Sequence, residues 1–422
     1  MNLPDDFVAT PEFTDFRSLL LHNGLPVFIT GNAGTGKSTF LQYFLENLDD
    51  EEPVVLAPTG VAAVNVGGST IHSFFRFPPR YIHLDSIRED YRWQNNFRRS
   101  LSTIIIDEIS MVRVDMVDNI DTFLRINMNK DIPFGGVKVI MIGDMHQLPP
   151  VVEDGLVPYF KQVYDSPYFF SAKVWEQVPF EVLELTHIFR QKDPTFIRVL
   201  NNIRKGLLTA EDANILNTRV GRTLSEGFIM LTTTNKIADT LNKVMLNKLT
   251  TEPQFYNAKI EGDFPPKYYP TSDCLIMREG AQVMMLRNGP GYCNGTICKV
   301  VELKKESVVV EWENESGNKL KREIDPVDFE RIEYESIDSR IHGKKVGKFI
   351  QLPLKLAWAI TMHKSQGMTF DKVQIDFGFG SFAHGQTYVA LSRCRSLEGI
   401  SLKRRISNRD IIFDKAVSRL NK

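Results

Sequence analysis

Four cysteines in 422 residues are too few to staple a chain of this size, and none sits in a C-x-x-C pair, so neither a disulfide framework nor a zinc ribbon organises the fold. Cys293 and Cys298 stand five apart with no histidine nearby, which reads as chance spacing rather than a metal site. Neither sign of charge is in excess: 51 Lys plus Arg stand against 52 Asp plus Glu, a formal net charge of -1. The global electrostatic signature of a protein that binds polyanions or membranes is therefore missing. No run approaches the roughly 18 apolar residues of a membrane helix, and the opening MNLPDDFVAT has no basic patch followed by an apolar block. These absences predict a soluble chain with no membrane partner, in the cytosol or another reducing compartment. No short repeat or low-complexity tract stands out, and the acidic run Asp49 to Glu52 reads as a solvated loop. What remains is ordinary globular composition, 42% hydrophobic and 24% charged, with 28 phenylalanines supplying rigid aromatic surface.

Apolar runs at Val27 to Thr30, Val54 to Ala57, Thr103 to Ile106 and Val137 to Ile142 each end in a turn rich in Gly or acid and lead towards a helical pattern. Strands that are apolar throughout are buried on both faces, as in a parallel sheet covered by helices, and ligands of such sheets sit beyond the carboxyl ends of the strands. The same alternation returns after residue 185, with Phe228 to Leu231, Val373 to Phe377 and a helical stretch from Tyr388 to Arg395. The fold class predicted is α/β, in two similar lobes. Between them, ICKVVEL, SVVVEW and KLKREI alternate in period two around NESGN-type turns, which predicts a small antiparallel β insertion.

Gly31-Asn32-Ala33-Gly34-Thr35-Gly36-Lys37-Ser38 fits G-x-x-x-x-G-K-S/T between a strand and a helix, a pattern that chance would produce in about one such sequence in a hundred. Backbone N–H groups of Gly31, Ala33, Gly34, Thr35 and Gly36, continued by Lys37, Ser38 and Thr39 at the helix start, suit the phosphates of ATP. Lys37 reaches the β and γ phosphates, and Ser38 ligates Mg²⁺. Asp107, at a strand end, is expected to share the metal, and Glu108 to orient or deprotonate the attacking water. Gln147, following the fourth strand in Gly143-Asp144-Met145-His146-Gln147, has an amide that both donates and accepts and so can sense the γ-phosphate.

The ordered set GNAGTGKS, APTGVAA, GGSTIHSFF, IIIDEIS, PFGG, GDMHQLPPV, FRQKD, AWAITMHKSQGMTF and YVALSRCRS resembles superfamily 1B DNA helicases, and most closely the petite-integration-frequency family, with RecD and phage Dda helicases as relatives. The resemblance covers about residues 26 to 402. It implies two RecA-like P-loop lobes, a wedge insertion in the first and an Src-homology-3-like barrel in the second. The bounds expected are lobe 1 at 1–185 with the wedge at 76–99, lobe 2 at 186–294 and 349–422, and the barrel at 295–348. It implies that Arg190 and Arg393 reach the γ-phosphate from lobe 2, where phosphoryl transfer needs cationic charge. It also implies 5′ to 3′ movement on single-stranded DNA, unwinding at junctions with duplex, and work as a monomer. Relatives read adenine with a Gln before the P-loop; here Thr14 stands near that place.

Two tracks are expected to hold the strand: Thr59, Gly60, Asn65, His72 and Phe74 in lobe 1, and Thr361, His363 and Lys364, within Thr361 to Gln366, in lobe 2. From Arg76 to Arg99 six arginines face three acids among interleaved aromatics, and Phe77 or Tyr81 is expected to be the separation wedge. The basic carboxyl end reads as a solvated final helix, and a positive groove is expected on a near-neutral body. A guanine-specific switch would need N-K-x-D, which TNKIAD misses by one residue, and LSGGQ of the ABC-type ATPases is absent. A non-catalytic scaffold with a decayed ATPase is opposed by the intact Lys37, Asp107, Glu108, Gln147, Arg190 and Arg393.

Overall fold

The apolar runs of the first half lie side by side because each is hydrophobic on both faces and finds burial only inside a sheet. The computed structural model describes residues 7–421 apart from 8, 23, 49–52, 79, 225–226, 288, 293, 314–317, 338–339 and 379. Cys293 and the run Asp49 to Glu52 thus lie outside the described residues. Lobe 1 comprises β1 (Val27–Gly31), β2 (Val54–Ala57), β3 (Ser69–Thr70), β4 (Thr103–Ile106), β5 (Lys138–Ile142) and β6 (Glu181–Leu185). Their order is β3-β2-β4-β5-β1-β6, with parallel pairing throughout. β1 and β2 are buried at every position, whereas edge strand β6 alternates. Because β4, β5 and β1 are adjacent and parallel, the turns after them open at one edge of the sheet, where the P-loop, Asp107-Glu108 and Gly143 to Gln147 meet.

The chain then forms β7 (Ile229–Thr232) and leaves for an antiparallel region: β8 (Gln254–Asn257), β9 (Lys259–Gly262), β10 (Cys274–Met277), β11 (Gln282–Met285), β12 (Ile297–Leu303), β13 (Val308–Glu313), β14 (Lys319–Ile324), β15 (Val327–Ile337), β16 (Arg340–Gln351) and β17 (Leu354–Leu356). It returns as β18 (Ala359–Thr361), β19 (Val373–Ile375) and β20 (Ile400–Leu402), which join β7 in the parallel order β18-β7-β19-β20. Of the five-stranded sheet β14-β13-β12-β11-β17, the strands β12, β13 and β14 fall within 295–348, where the barrel is expected, and β11 and β17 fall outside it. The insertion runs from β8 to β17, beyond the 295–348 read from the sequence. β11, buried at three of its four positions, lacks the alternation that betrays β12 to β14.

Two further expectations are corrected. Within 76–99 Tyr91 is 70% exposed, but the phenylalanines and the tryptophan turn inward: Trp93 is fully buried and Phe97 and Phe77 nearly so, in one core with Phe74, Phe75 and Phe123. The helix Tyr91–Phe97 is started by Asp90, whose carboxylate accepts from Trp93 N–H at 2.9 Å. The carboxyl end is no solvated helix either. It crosses back to lobe 1, where Val417 is 2% exposed within that lobe's core and Leu420 packs against it. No helix among the described residues is long and apolar enough to cross a membrane.

Candidate active site

β1 runs into the loop Asn32 to Gly36 and then into the helix Lys37–Glu46, which starts at Gly36 without any side-chain cap. Its first N–H groups are thereby left for an anion, with the positive end of the helix dipole behind them. Gly34 has φ +87°, and a Cβ there would lie 2.5 Å from Cβ of Arg190, so only glycine lets lobe 2 approach this closely. Lys37 Nζ donates to the carbonyls of Gly31 (2.7 Å) and Asn32 (3.0 Å). Burial lowers its pKa, against the opposing pull of Asp144 and Glu108. Thr35 Oγ1 donates to Asn32 O at 3.0 Å, and Ser38 and Thr39 line the cleft with Gly36.

Asp107 and Glu108 follow β4, opposite Lys37. Burial, then Glu108, pushes the Asp107 carboxyl up to about 7, and burial also raises Glu108. Two adjacent buried carboxyls of this kind fit a divalent cation, which would restore their charged forms. Among the described residues no group of three or more His, Cys, Asp or Glu could hold a metal. Mg²⁺ takes one or two protein oxygens and completes its shell with phosphates and water. Here those oxygens would be Ser38 Oγ and Asp107. Gln147, 6% exposed, donates through Nε2 to Asp144 Oδ2 at 3.2 Å. Asp144 also lies 3.5 Å from Arg204, on the lobe 2 helix Pro194–Arg204. Burial would raise the Asp144 carboxyl, but Arg204 and then Lys37 hold it down to about 2.

Lobe 2 closes the site. Arg190 Nη1 and Gln191 Nε2 both donate to Ser392 O at 3.1 Å, so the segment after β6 grips the end of the helix Gln386–Ser392. From that helix end Arg393, 1% exposed, donates to Val389 O (3.0 Å), Ser392 Oγ (3.0 Å), Met368 O (3.4 Å) and Ser365 O (3.5 Å). These acceptors are neutral, and burial lowers its pKa. Tyr388, on the same helix, accepts from Ala33 N–H of the P-loop at 2.8 Å. The cleft, about 1660 Å³, is lined from both lobes by Lys37, Glu108, Gln147, Arg190 and Arg393. Asp144, Arg204 and Tyr388 were given no role in the sequence reading, although the first and last lie inside quoted motifs. Phe189, 48% exposed, lines the cleft beside Gly36 and was missed as well.

The expected tracks are divided. Thr59, Asn65 and Lys364 are exposed, and His72 and His363 half-buried. Phe74 is 5% exposed, with Phe75, Trp93 and Phe97 around it, so it is a core ring and not a stacking platform. Thr361, 3% exposed, serves its own turn: Oγ1 accepts from Lys364 N–H at 3.3 Å. Gly60 is covered by Tyr268, whose ring a Cβ would meet at 2.4 Å, and Tyr268 OH shares a hydrogen bond with Thr70 Oγ1 at 3.3 Å. Phe382, 62% exposed and 6.5 Å from His363 with nearly parallel rings, is an aromatic surface that sequence reasoning passed over. Phe77 stacks on Phe75 at 5.4 Å and meets Phe123 at 5.5 Å, which removes it as a wedge. Tyr81 remains half-buried against Tyr159.

The family model described as PIF1-like helicase matches residues 15–214. The chain is similar to the ATP-dependent DNA helicase PIF1 of Mus musculus, at 36% identity over 419 residues, covering 92% of this chain and 60% of the relative. It therefore spans about three fifths of that relative's length. Unliganded Pif1 from Bacteroides sp matches with a TM-score of 0.89 at 37% identity, covering 99% of this chain and 97% of the other. Bacteroides Pif1 bound to ssDNA matches at 0.69, with 38% identity and the same coverage.

Proposed function

The chain belongs to the PIF1-like helicase family, and from that premise we propose that it is an ATP-dependent DNA helicase that moves 5′ to 3′ along single-stranded DNA. The observation that carries this reading is Arg393: a fully buried guanidinium with neutral oxygen partners, facing Glu108 and the P-loop across a cleft made by both lobes. A buried guanidinium whose charge is not neutralised by a carboxylate hydrogen-bonded to it is suited to charge that develops on a transferring phosphoryl group. One chain supplies the P-loop and both arginines, which supports a monomer as the working unit.

In this reading Lys37 and the uncapped helix start bind the phosphates. Mg²⁺, held by Ser38 and Asp107, would neutralise charge on the β and γ oxygens. Glu108 orients the water, Gln147 reads the γ-phosphate, and Arg190 and Arg393 approach from lobe 2. Phe189 offers its exposed face to the adenine. Thr14 is exposed and its hydroxyl donates to Pro11 O at 2.8 Å within its own helix, so base recognition rests more on stacking than on that residue. Thr59, Asn65, His72, His363 and Lys364, with Phe382 added, form the DNA track, and Tyr81 stands at the junction. Single-stranded DNA bound by a 38% identical relative supports the partner. Unwinding of 5′-tailed and 3′-tailed forks tests the whole reading: ATP-dependent strand separation from the 5′ tail only is expected, lost in Lys37→Ala while single-strand binding persists. Equal unwinding from both tails would remove the polarity, and unwinding by Lys37→Ala would remove the assignment.

A further inference from the structure

The turn that ends β18 carries Lys364 at its exposed apex and Gln366 two residues later, and it is tightly built. Ser365 N–H donates to Thr361 O at 3.0 Å, and Gln366 N–H to His363 O at 3.2 Å. From this turn the Gln366 side chain crosses to lobe 1, where Nε2 donates to Glu108 Oε2 at 2.9 Å. Two features mark the contact as a held state. Gln366 Oε1 is buried with no hydrogen-bond partner, so the amide is only half satisfied there. Glu108 itself has φ 51° and ψ 43°, a left-handed conformation that a non-glycine residue keeps only where its surroundings enforce it. The same turn offers the carbonyls of Ser365 and Met368 to Arg393. One short segment of the expected DNA track thus touches both the carboxylate and the arginine of the ATP cleft.

We propose that Gln366 is a positioning residue that holds Glu108 idle until single-stranded DNA engages the turn Thr361 to Gln366. This rests on the helicase reading given above. An N–H on Oε2 takes up one of the carboxylate's acceptor sites and fixes the group in one orientation, turned away from the attacking water. A backbone phosphate drawn to Lys364 and His363 moves the turn that carries the amide, and Glu108 is then free to turn to the water. The half-satisfied amide makes release easy, since Oε1 gains a partner once it leaves the pocket. ATP hydrolysis becomes tied to occupancy of the strand with no relay beyond a single side chain.

The experiment compares Gln366→Ala and Gln366→Asn, which is one methylene too short to reach, with the wild-type chain. ATPase kcat and KM are measured without DNA and with a saturating oligothymidylate, and the affinity for that oligonucleotide is read by anisotropy. Both variants are expected to raise the DNA-free kcat about tenfold, the equivalent of one hydrogen bond. The DNA-saturated kcat, KM for ATP and oligonucleotide affinity should stay within about twofold of wild type, so that the ratio of the two rates collapses. An unchanged DNA-free rate overturns the proposal, because the amide is then idle. A fall in both rates together overturns it too, because the amide then assists the active state. A wild-type chain whose ATPase ignores the oligonucleotide would instead overturn the helicase reading on which the proposal stands.

Discussion

Gly385→Ala should uncouple from lobe 2 the loop that carries Gln147, the proposed γ-phosphate sensor. Gly385 starts the helix Gln386–Ser392 at φ +69°, and a Cβ there would lie 2.3 Å from His146 O and 2.4 Å from Gln147 O, both backbone atoms. Its neighbour His384 accepts Asp414 N–H at Nδ1 (2.9 Å), so Nε2 carries the proton and donates to Met145 O at 3.0 Å. The loop before the helix is therefore seated directly on the sensor loop, and the same helix brings Tyr388 to the P-loop and Arg393 to the cleft. Restoring an ordinary contact distance needs a displacement of about 1 Å, and a misplacement of that size costs on the order of 10²-fold in rate. The left-handed backbone adds roughly 1–2 kcal/mol of strain in its own right. Gly221→Ala isolates that part, since Gly221 has φ +68° with nothing within 4 Å of its built Cβ. The assay is DNA-stimulated ATPase beside a thermal melt. Both variants should melt a few degrees early, on the scale of about 2–4 °C per kcal/mol, but only Gly385→Ala should lose kcat about 10²-fold. If Gly385→Ala loses no more kcat than Gly221→Ala, the argument that this packing positions the sensor is wrong.

Phe77→Ala should behave as a core truncation, lowering the denaturation midpoint by about 3–5 kcal/mol of stability with ATPase and unwinding falling together. A stable Phe77→Ala that loses unwinding alone would restore the wedge. Arg393→Lys keeps the charge and loses the planar fork. It should retain nucleotide binding and drop kcat by on the order of 10³-fold, and a drop below tenfold in a steady-state assay would argue against its role. Burial, followed by Arg204, lowers the His146 imidazole to about 4. The unfolded chain therefore takes up that proton first as pH falls. Stability should decline from pH 6.5 towards 4, by up to about 3 kcal/mol and less for the part of the ring that solvent reaches. Urea midpoints at pH 7.5 and 5 should converge in His146→Gln, and an unchanged acid limb would contradict this.

β2 and β4 lie where the sequence predicts them, Val54–Ala57 and Thr103–Ile106, because a doubly buried strand ending in chemistry-bearing residues writes its length and its face into local composition. Insertion bounds were less legible, since β11 looks like the buried strands of the lobes while belonging to an antiparallel sheet. Aromatics misled for another reason. Phe77 sits in a basic segment that suggests an exposed surface, and only the distant Phe123 shows that it faces inward, while Phe74, read as part of the strand track, is enclosed by Trp93 and Phe97 about twenty positions on. Contacts that join the lobes left no local trace: Gln366 with Glu108 spans 258 positions, and Arg204 with Asp144 spans 60. Motifs named the residues at the strand ends, but which of them touch is decided by the closing of two sheets over one cleft.

In the function proposed, this cleft hydrolyses ATP under the control of bound single-stranded DNA, with both lobes needed for catalysis. Steady-state ATPase of the wild-type chain, Lys37→Ala and Arg393→Ala, each titrated with oligothymidylate, tests it most directly. A DNA-stimulated rate is expected in the wild type and the loss of that rate in both variants, one from each lobe, with oligonucleotide binding intact. Hydrolysis that survives in Arg393→Ala, or that is indifferent to DNA in the wild type, would contradict it.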